Sequence, residues 1–153
     1  MNVCTDQLAM LVAGPGQLVS VSHVARDPAS SAMWREARDY PVNHGRAEEI
    51  FLLAPDLVLA GAYTTRATVE MLRRQGVEVA EFAPVSSLDQ ARENIRRMGR
   101  ILGREARAAA LVAAFDAALG RVPELPPARA VLYAANSYSS GRGTLADAVF
   151  RAA

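Results

Sequence analysis

AEEIFLLAPDLVLAG, residues 47–61, is the stretch from which the rest of the chain can be read. Two adjacent acids, Glu48 and Glu49, open an apolar-rich run that Pro55 stops, because proline disfavours the helical region for the residue before it. The pattern predicts a short helix over 48–54. Residues 56–60 then form a β-rich run, and a polar cluster, Tyr63-Thr64-Thr65-Arg66, follows Gly61. Thr64 or Thr65 is expected to cap a helix through Gln75, with Gly76 at the usual C-terminal glycine position. VEVAEF, residues 77–82, alternates in the period-2 manner of a strand. Helix, strand, helix, strand with short connections predicts parallel strands joined by right-handed crossovers, an α/β fold.

Upstream, Thr5 and Asp6 are expected to cap a helix over 7–13 that Gly14-Pro15-Gly16 ends, and LVSVS, residues 18–22, alternates as a strand. Residues 23–45 keep no clean period; Pro28, Pro41 and Gly45 punctuate them, and 30–38 supply one or two helical turns. Downstream, Ser87 caps a helix in which Leu88, Ala91, Ile95, Met98 and Leu102 share one stripe, and Gly103 breaks it. A second, alanine-rich helix over 104–120 spans roughly 25 Å if continuous. Pro123, Pro126 and Pro127 make a stiff connector. RAVLYAAN, residues 129–136, reads as one more buried strand, SYSSGRGT as a polar loop, and Thr144 as the cap of a final helix. A lone strand-helix pair cannot bury both faces of a sheet, so this last segment is expected to pack on something else or on another copy of the chain. Both ends read as trimmed.

The domain division expected from this is an N-terminal α/β lobe over 1–86, a helical connector over 87–122, and a partial C-terminal lobe over 128–153. With 153 residues, 51% of them hydrophobic, the chain supports one solid core and is short for two complete domains. The net charge of +1 gives no global field that would favour nucleic acid or an anionic membrane. The apolar runs fall far below the roughly 20 residues that span a bilayer. The chain opens without a basic head and apolar run, so it reads either as cytoplasmic or as having lost a leader. A single cysteine, Cys4, cannot form an internal disulfide.

No catalytic set emerges. The glycine-bearing loop 140–144 lacks the lysine of a phosphate loop, and His23 and His44 have no partner at a recognised metal spacing, so neither nucleotide nor metal is expected. Position is more informative. In open α/β sheets ligands sit beyond the carboxyl ends of the strands, where the loops HVARDP, YTTR and NSYSSGRG gather. Those loops carry His23, Arg26, Tyr63, Arg66, Tyr138 and Arg142. Arginine and tyrosine together suit a bulky ligand with both carboxylates and apolar surface, and solvated loop residues are the alternative.

Five segments in order resemble the substrate-binding proteins of ABC importers for cobalamin and ferric siderophores, two lobes joined by one long helix. VCTDQLAMLVAGPGQLVSVS is similar to that family's opening strand-end, first helix, glycine turn and second strand. AEEIFLLAPDLVLAG resembles its most recognisable signature, and MLRRQGVEVAEF its helix, glycine and strand unit. SLDQARENIRRMGRILGREARAAALVAAF resembles the segment leading into the backbone helix, and VLYAANSYSSGRGTLADAVFRAA the first strand and helix of the second lobe. The resemblance implies a non-enzymatic solute-binding protein that captures a ferric siderophore, cobalamin or haem in an inter-lobe cleft and delivers it to an inner-membrane permease. No cofactor is implied beyond that metal chelate. Location would be periplasmic, with the leader removed.

The ligand-binding residues this reading implies are Cys4, Thr5, His23, Arg26, Tyr63, Arg66, Tyr138 and Arg142, and Trp34, Tyr40 and Tyr63 loosely match the cleft aromatics. Glu48 matches the first-lobe glutamate that docks onto permease arginines, with Glu49 as the reserve; a carboxylate in a helix's first turn is stabilised by the dipole and stays exposed for a bidentate partner. The second lobe is much shorter than the family's. A small α/β enzyme or regulatory domain, with His44 and Asp27 near a cleft, is the other reading.

Overall fold

A computed structural model describes residues 2–64, 66–123, 129, 131–133, 136 and 138–152. The chain divides into two compact units, Met1–Pro84 and Val85–Ala153.

In the first unit, helix α1 covers Val3–Val12. It starts before the expected cap because Asn2 takes that role: its side-chain oxygen accepts from the amides of Cys4 (3.0 Å) and Thr5 (3.1 Å). Thr5 and Asp6 therefore lie inside the helix. Strand β1, Val21–Ser22, is shorter than the alternating run, since its neighbour is just as short. That neighbour is β2, Val42–Asn43, in a segment whose period gave no sign of a strand, and the two pair in parallel. Between them run two 3₁₀ turns, His23–Arg26 and Glu36–Asp39. Val21, Ala25 and Ala37 form a small buried cluster, with Met10, Leu18 and Tyr40 packed against it.

Helix α2, Ala47–Leu52, stops ahead of Pro55, and the intervening Ala54 sits in the left-handed region at φ 46°. Strand β3, Leu57–Gly61, and strand β4, Glu78–Phe82, pair in parallel along their full length, from Leu57↔Glu78 to Gly61↔Phe82. Helix α3, Arg66–Arg74, connects them and packs on both α2 and β4. The shared core is Ala47, Ile50, Val58 and Leu72, flanked by Val77 and Val79. Helix α1 touches both β1 and β3. The head of α1 meets the end of β3 so closely that a Cβ at Gly61 would overlap the Asn2 side chain.

In the second unit, the Ser87 hydroxyl accepts from the Gln90 amide at the start of helix α4, Leu88–Leu102, and Gly103 at φ 62° ends it. Helix α5, Glu105–Leu119, turns back against it, so the two make a hairpin of helices of equal length. Met98, Gly99, Ala108 and Val112 are buried at their contact. Arg92 ties the pair from outside: its Nε donates to Asp116 at 2.7 Å and its guanidinium lies over the Phe115 ring.

Helix α6, Leu145–Ala152, follows a turn in which the Thr144 hydroxyl accepts from the Asp147 amide, as a cap does. The strand expected over 129–136 is not formed by its described residues: Val131 and Tyr133 are 74% and 72% exposed. Ala130, Ala134 and Ala135 lie outside the described residues, as does Thr65. Among the described residues, no helix is long and apolar enough to cross a membrane.

Candidate binding and docking site

The strands of the first sheet set the site's geometry. Parallel pairing ends at Ser22↔Asn43, so the next residue of each strand, His23 and His44, emerges at the carboxyl edge beside the other. Their rings stack with centroids 5.2 Å apart and planes 24° from parallel. The strand ends behind them are tied down. Asp6 of α1, buried, accepts from the Ser22 amide at 3.0 Å and from the Ser22 hydroxyl. Buried Asn43 donates through Nδ2 to the Ser20 hydroxyl (2.9 Å) and accepts through Oδ1 from the Gly45 amide (3.2 Å).

Gly45, in the left-handed region at φ 73°, turns the chain so that Glu49 reaches back to His44. One carboxylate oxygen accepts from the His44 amide at 2.8 Å, and the other lies 3.1 Å from His44 Nδ1. A carboxylate only accepts, so Nδ1 carries a proton, and in the neutral imidazole Nε2 then keeps the lone pair. The His44 amide first, and then its ring, hold the Glu49 carboxyl below the ordinary carboxylate range.

The sequence-derived residues are placed as follows. Cys4 is exposed in the first turn of α1. Thr5 is buried, and its hydroxyl donates to the Asn2 carbonyl at 3.1 Å. Arg26 spends its guanidinium on the loop itself, donating to the carbonyls of Ala37 (3.2 Å), Arg38 (3.3 Å) and Tyr40. Tyr63 is 91% exposed in the turn after β3, where the Thr64 hydroxyl accepts from the Gly61 amide, and Arg66 is exposed at the start of α3. Tyr138 and Arg142 are exposed and belong to the second unit.

Trp34 carries the guanidinium groups of Arg35 and Arg38, each 4.6 Å from the ring centroid, while Tyr40 packs on the Val21 cluster. Two clusters therefore form at strand carboxyl ends: His23 with His44, and the head of α1 with the Gly61 turn that bears Tyr63. His44 and Glu49 as a bonded pair were not legible from spacing; the one signal was a glycine, Gly45, between them.

The α2 surface is different in kind. Glu48 is exposed and has no hydrogen bond or ion pair among the described residues. It rims a cavity of about 220 Å³ between α2 and α3, lined by the apolar faces of Ala47, Phe51, Leu52, Met71 and Leu72. Leu52 is 83% exposed there.

Asp27, the acid of the enzyme reading, accepts from the Ser30 hydroxyl (2.6 Å) and the Ala29 amide (3.0 Å), which hold it below its ordinary pKa. It is an exposed, stabilised carboxylate, and a general base tuned toward neutrality would be shifted the other way. Among the described residues, no three of His, Cys, Asp and Glu gather in a metal-binding group.

The sequence model of the family described as periplasmic binding protein matches residues 2–153. Cobalamin-binding proteins from two strains of Halobacterium salinarum are 34% identical over 112 residues, which cover 69% of this chain and 30% of theirs. The chain thus spans under a third of the length of the curated relatives it matches. Among solved structures, the periplasmic haem-binding protein BhuT, in complex with two haems, superposes with a TM-score of 0.73 at 25% identity, covering 99% of this chain and 62% of that one. The periplasmic haem-binding protein RhuT from Roseiflexus sp. RS-1, in its apo form, gives 0.68 at 25% identity, over 99% and 61%. All of these are binding proteins. From its α/β architecture and from a match that runs along nearly its whole length, this chain belongs to the periplasmic binding protein family.

Proposed function

We propose that the chain serves as a solute-binding component of an ABC importer outside the inner membrane, capturing a bulky metal chelate and handing it to a permease. Binding is by shape and a few polar contacts, with no bond made or broken. The observation that carries the reading is the family match over residues 2–153, joined by relatives whose names specify cobalamin and haem. Both ligands are wide, apolar-faced metal chelates with a polar edge, and a ferric siderophore shares enough of that character to stand as the third candidate.

The exposed groups at the strand carboxyl ends suit such a ligand: Tyr63 offers a ring to an apolar face and Arg66 a fork to a carboxylate. Cys4 lies in the first turn of α1, beside Asn2, which meets the same strand end. Arg26 and Thr5 act behind this surface, as supports. Glu48 is the docking carboxylate, because among the described residues nothing engages it and exposed apolar surface flanks it, whereas Glu49 is engaged by His44.

The test is an absorbance and thermal-shift screen with cobalamin, haem and a ferric siderophore, on this chain and on a version extended by a second lobe. The expected result is saturable binding of one ligand class, with a raised melting temperature. Absence of binding by both versions to all three would refute the reading; binding by the longer version alone would assign the second lobe an essential wall of the cleft.

A further inference from the structure

We propose that His23 and His44 form a two-imidazole site for a borderline divalent transition-metal ion, Cu²⁺, Ni²⁺ or Zn²⁺, with Glu49 as the carboxylate that positions His44. Three features of the structure converge on it. The pair sits at the carboxyl edge of the parallel strands β1 and β2, on backbone that the Asp6–Ser22 and Asn43–Ser20 hydrogen bonds hold in place. Glu49 fixes both the amide and the Nδ1 side of His44, which is how metal-ligating imidazoles are held: the outer carboxylate sets the tautomer and orientation and leaves Nε2 as the donor. The distance also suits: with metal–nitrogen bonds near 2.1 Å, two imidazoles on one tetrahedral ion have ring centroids about 5 Å apart, and these are at 5.2 Å.

The rings are stacked rather than turned toward a common point, so one must rotate. That ring is His23, which is exposed and has no carboxylate holding it among the described residues, and the torsion between Cβ and an imidazole ring is soft. The protein then supplies two nitrogens, and water or the donor atoms of a small chelator fill the other positions. Imidazole favours Cu, Ni and Zn over harder cations such as Mg or Ca. The site needs neither a permease nor a second lobe, so its test stands apart from the importer reading.

The experiment is calorimetric titration of NiCl₂ and CuSO₄ into the untagged chain carrying Cys4→Ser, which removes the exposed thiol as a competing ligand, with electron paramagnetic resonance of the Cu²⁺ complex. The chain has two histidines in all, so any imidazole signal comes from this pair. One equivalent of metal should bind, with hyperfine coupling from two ring nitrogens. His23→Asn and His44→Asn should each weaken binding by at least tenfold, and Glu49→Gln by about tenfold. Far-UV circular dichroism of each variant checks that it is folded. The proposal is overturned if His23→Asn/His44→Asn binds as tightly as its parent, or if the Cu²⁺ spectrum of the parent shows fewer than two imidazole nitrogens. Unchanged affinity in folded Glu49→Gln would overturn the positioning role.

Discussion

One carboxylate oxygen of Asp6 accepts both the amide and the hydroxyl hydrogen of Ser22, sixteen residues away, and both residues are almost fully buried. This ties α1 to β1, the strand that His23 directly follows. Asp6→Ala would leave two donors of Ser22 inside the protein without that partner, at an expected cost of about 2–4 kcal/mol. Asp6→Asn keeps an acceptor oxygen and the side-chain shape, and should cost less. Urea denaturation of the two variants checks this; a loss below about 0.5 kcal/mol for Asp6→Ala would show that the bond contributes little.

Gly99 and Ala108 define the contact between α4 and α5. On helix propensity alone, Gly99→Ala should stabilise α4 by up to about 1 kcal/mol. The new Cβ, however, would overlap the Cβ of Ala108 and press on the Arg104 carbonyl oxygen at 3.3 Å, both across the tight helix contact. Overpacking of that kind costs about 1–3 kcal/mol and should win. Gly99→Ala is therefore expected to lower the thermal midpoint, and Ala108→Gly in the same chain to recover part of the loss. A double-mutant cycle measures the coupling; additive effects would mean that the helices simply move apart.

How much of this was legible follows from how local each signal is. The β3–α3–β4 unit and the α4–α5 hairpin were readable because their cues lie within one or two turns: Pro55, Gly76, Ser87 and Gly103 each act on neighbours. Strand β2 was not, because two residues after Pro41 carry no period, and they become a strand only by pairing with Val21 and Ser22. Asn2 was missed as a cap because Thr5 and Asp6 are equally good cap types, and the choice depended on Asp6 being drawn to Ser22. The same holds for the site. His23 could be placed at a strand end and His44 only near a cleft with Asp27, since what makes the two histidines neighbours is strand register and not sequence spacing. Arg26 has the right chemistry for a carboxylate ligand, and only the fold shows its donors turned onto the loop carbonyls of Ala37, Arg38 and Tyr40.

Glu49 gives a pH-dependent prediction. Its carboxyl is held below its ordinary value of 4.5 by the His44 amide, then by the His44 ring. A depressed acid stabilises the fold when ionised, so the contribution is complete above about 4.5 and is lost as pH falls through the lower folded value. A ¹³C titration of the Glu49 carboxyl should give a midpoint under 4.5. Glu49→Gln should remove this part of the acid dependence of stability. A midpoint at or above the ordinary value would mean that the His44 contact does not persist in solution.

Glu48 separates docking from folding. It is exposed and bonded to nothing among the described residues, so Glu48→Arg should change stability by no more than about 0.5 kcal/mol and leave ligand affinity intact. If its carboxylate meets a permease arginine beside the Phe51 and Leu52 surface, reversal of its charge should weaken docking by 2 kcal/mol or more, roughly thirtyfold. Leu52→Ser should weaken it by a smaller factor, since it removes apolar contact without introducing repulsion. Glu49→Gln should dock as the parent does, because Glu49 faces His44. Affinity for the permease in nanodiscs, measured for the three variants, tests all of this together. Docking by Glu48→Arg at parental affinity would end the assignment of this face, and rescue of Glu48→Arg by a permease arginine changed to glutamate would identify the residue it meets.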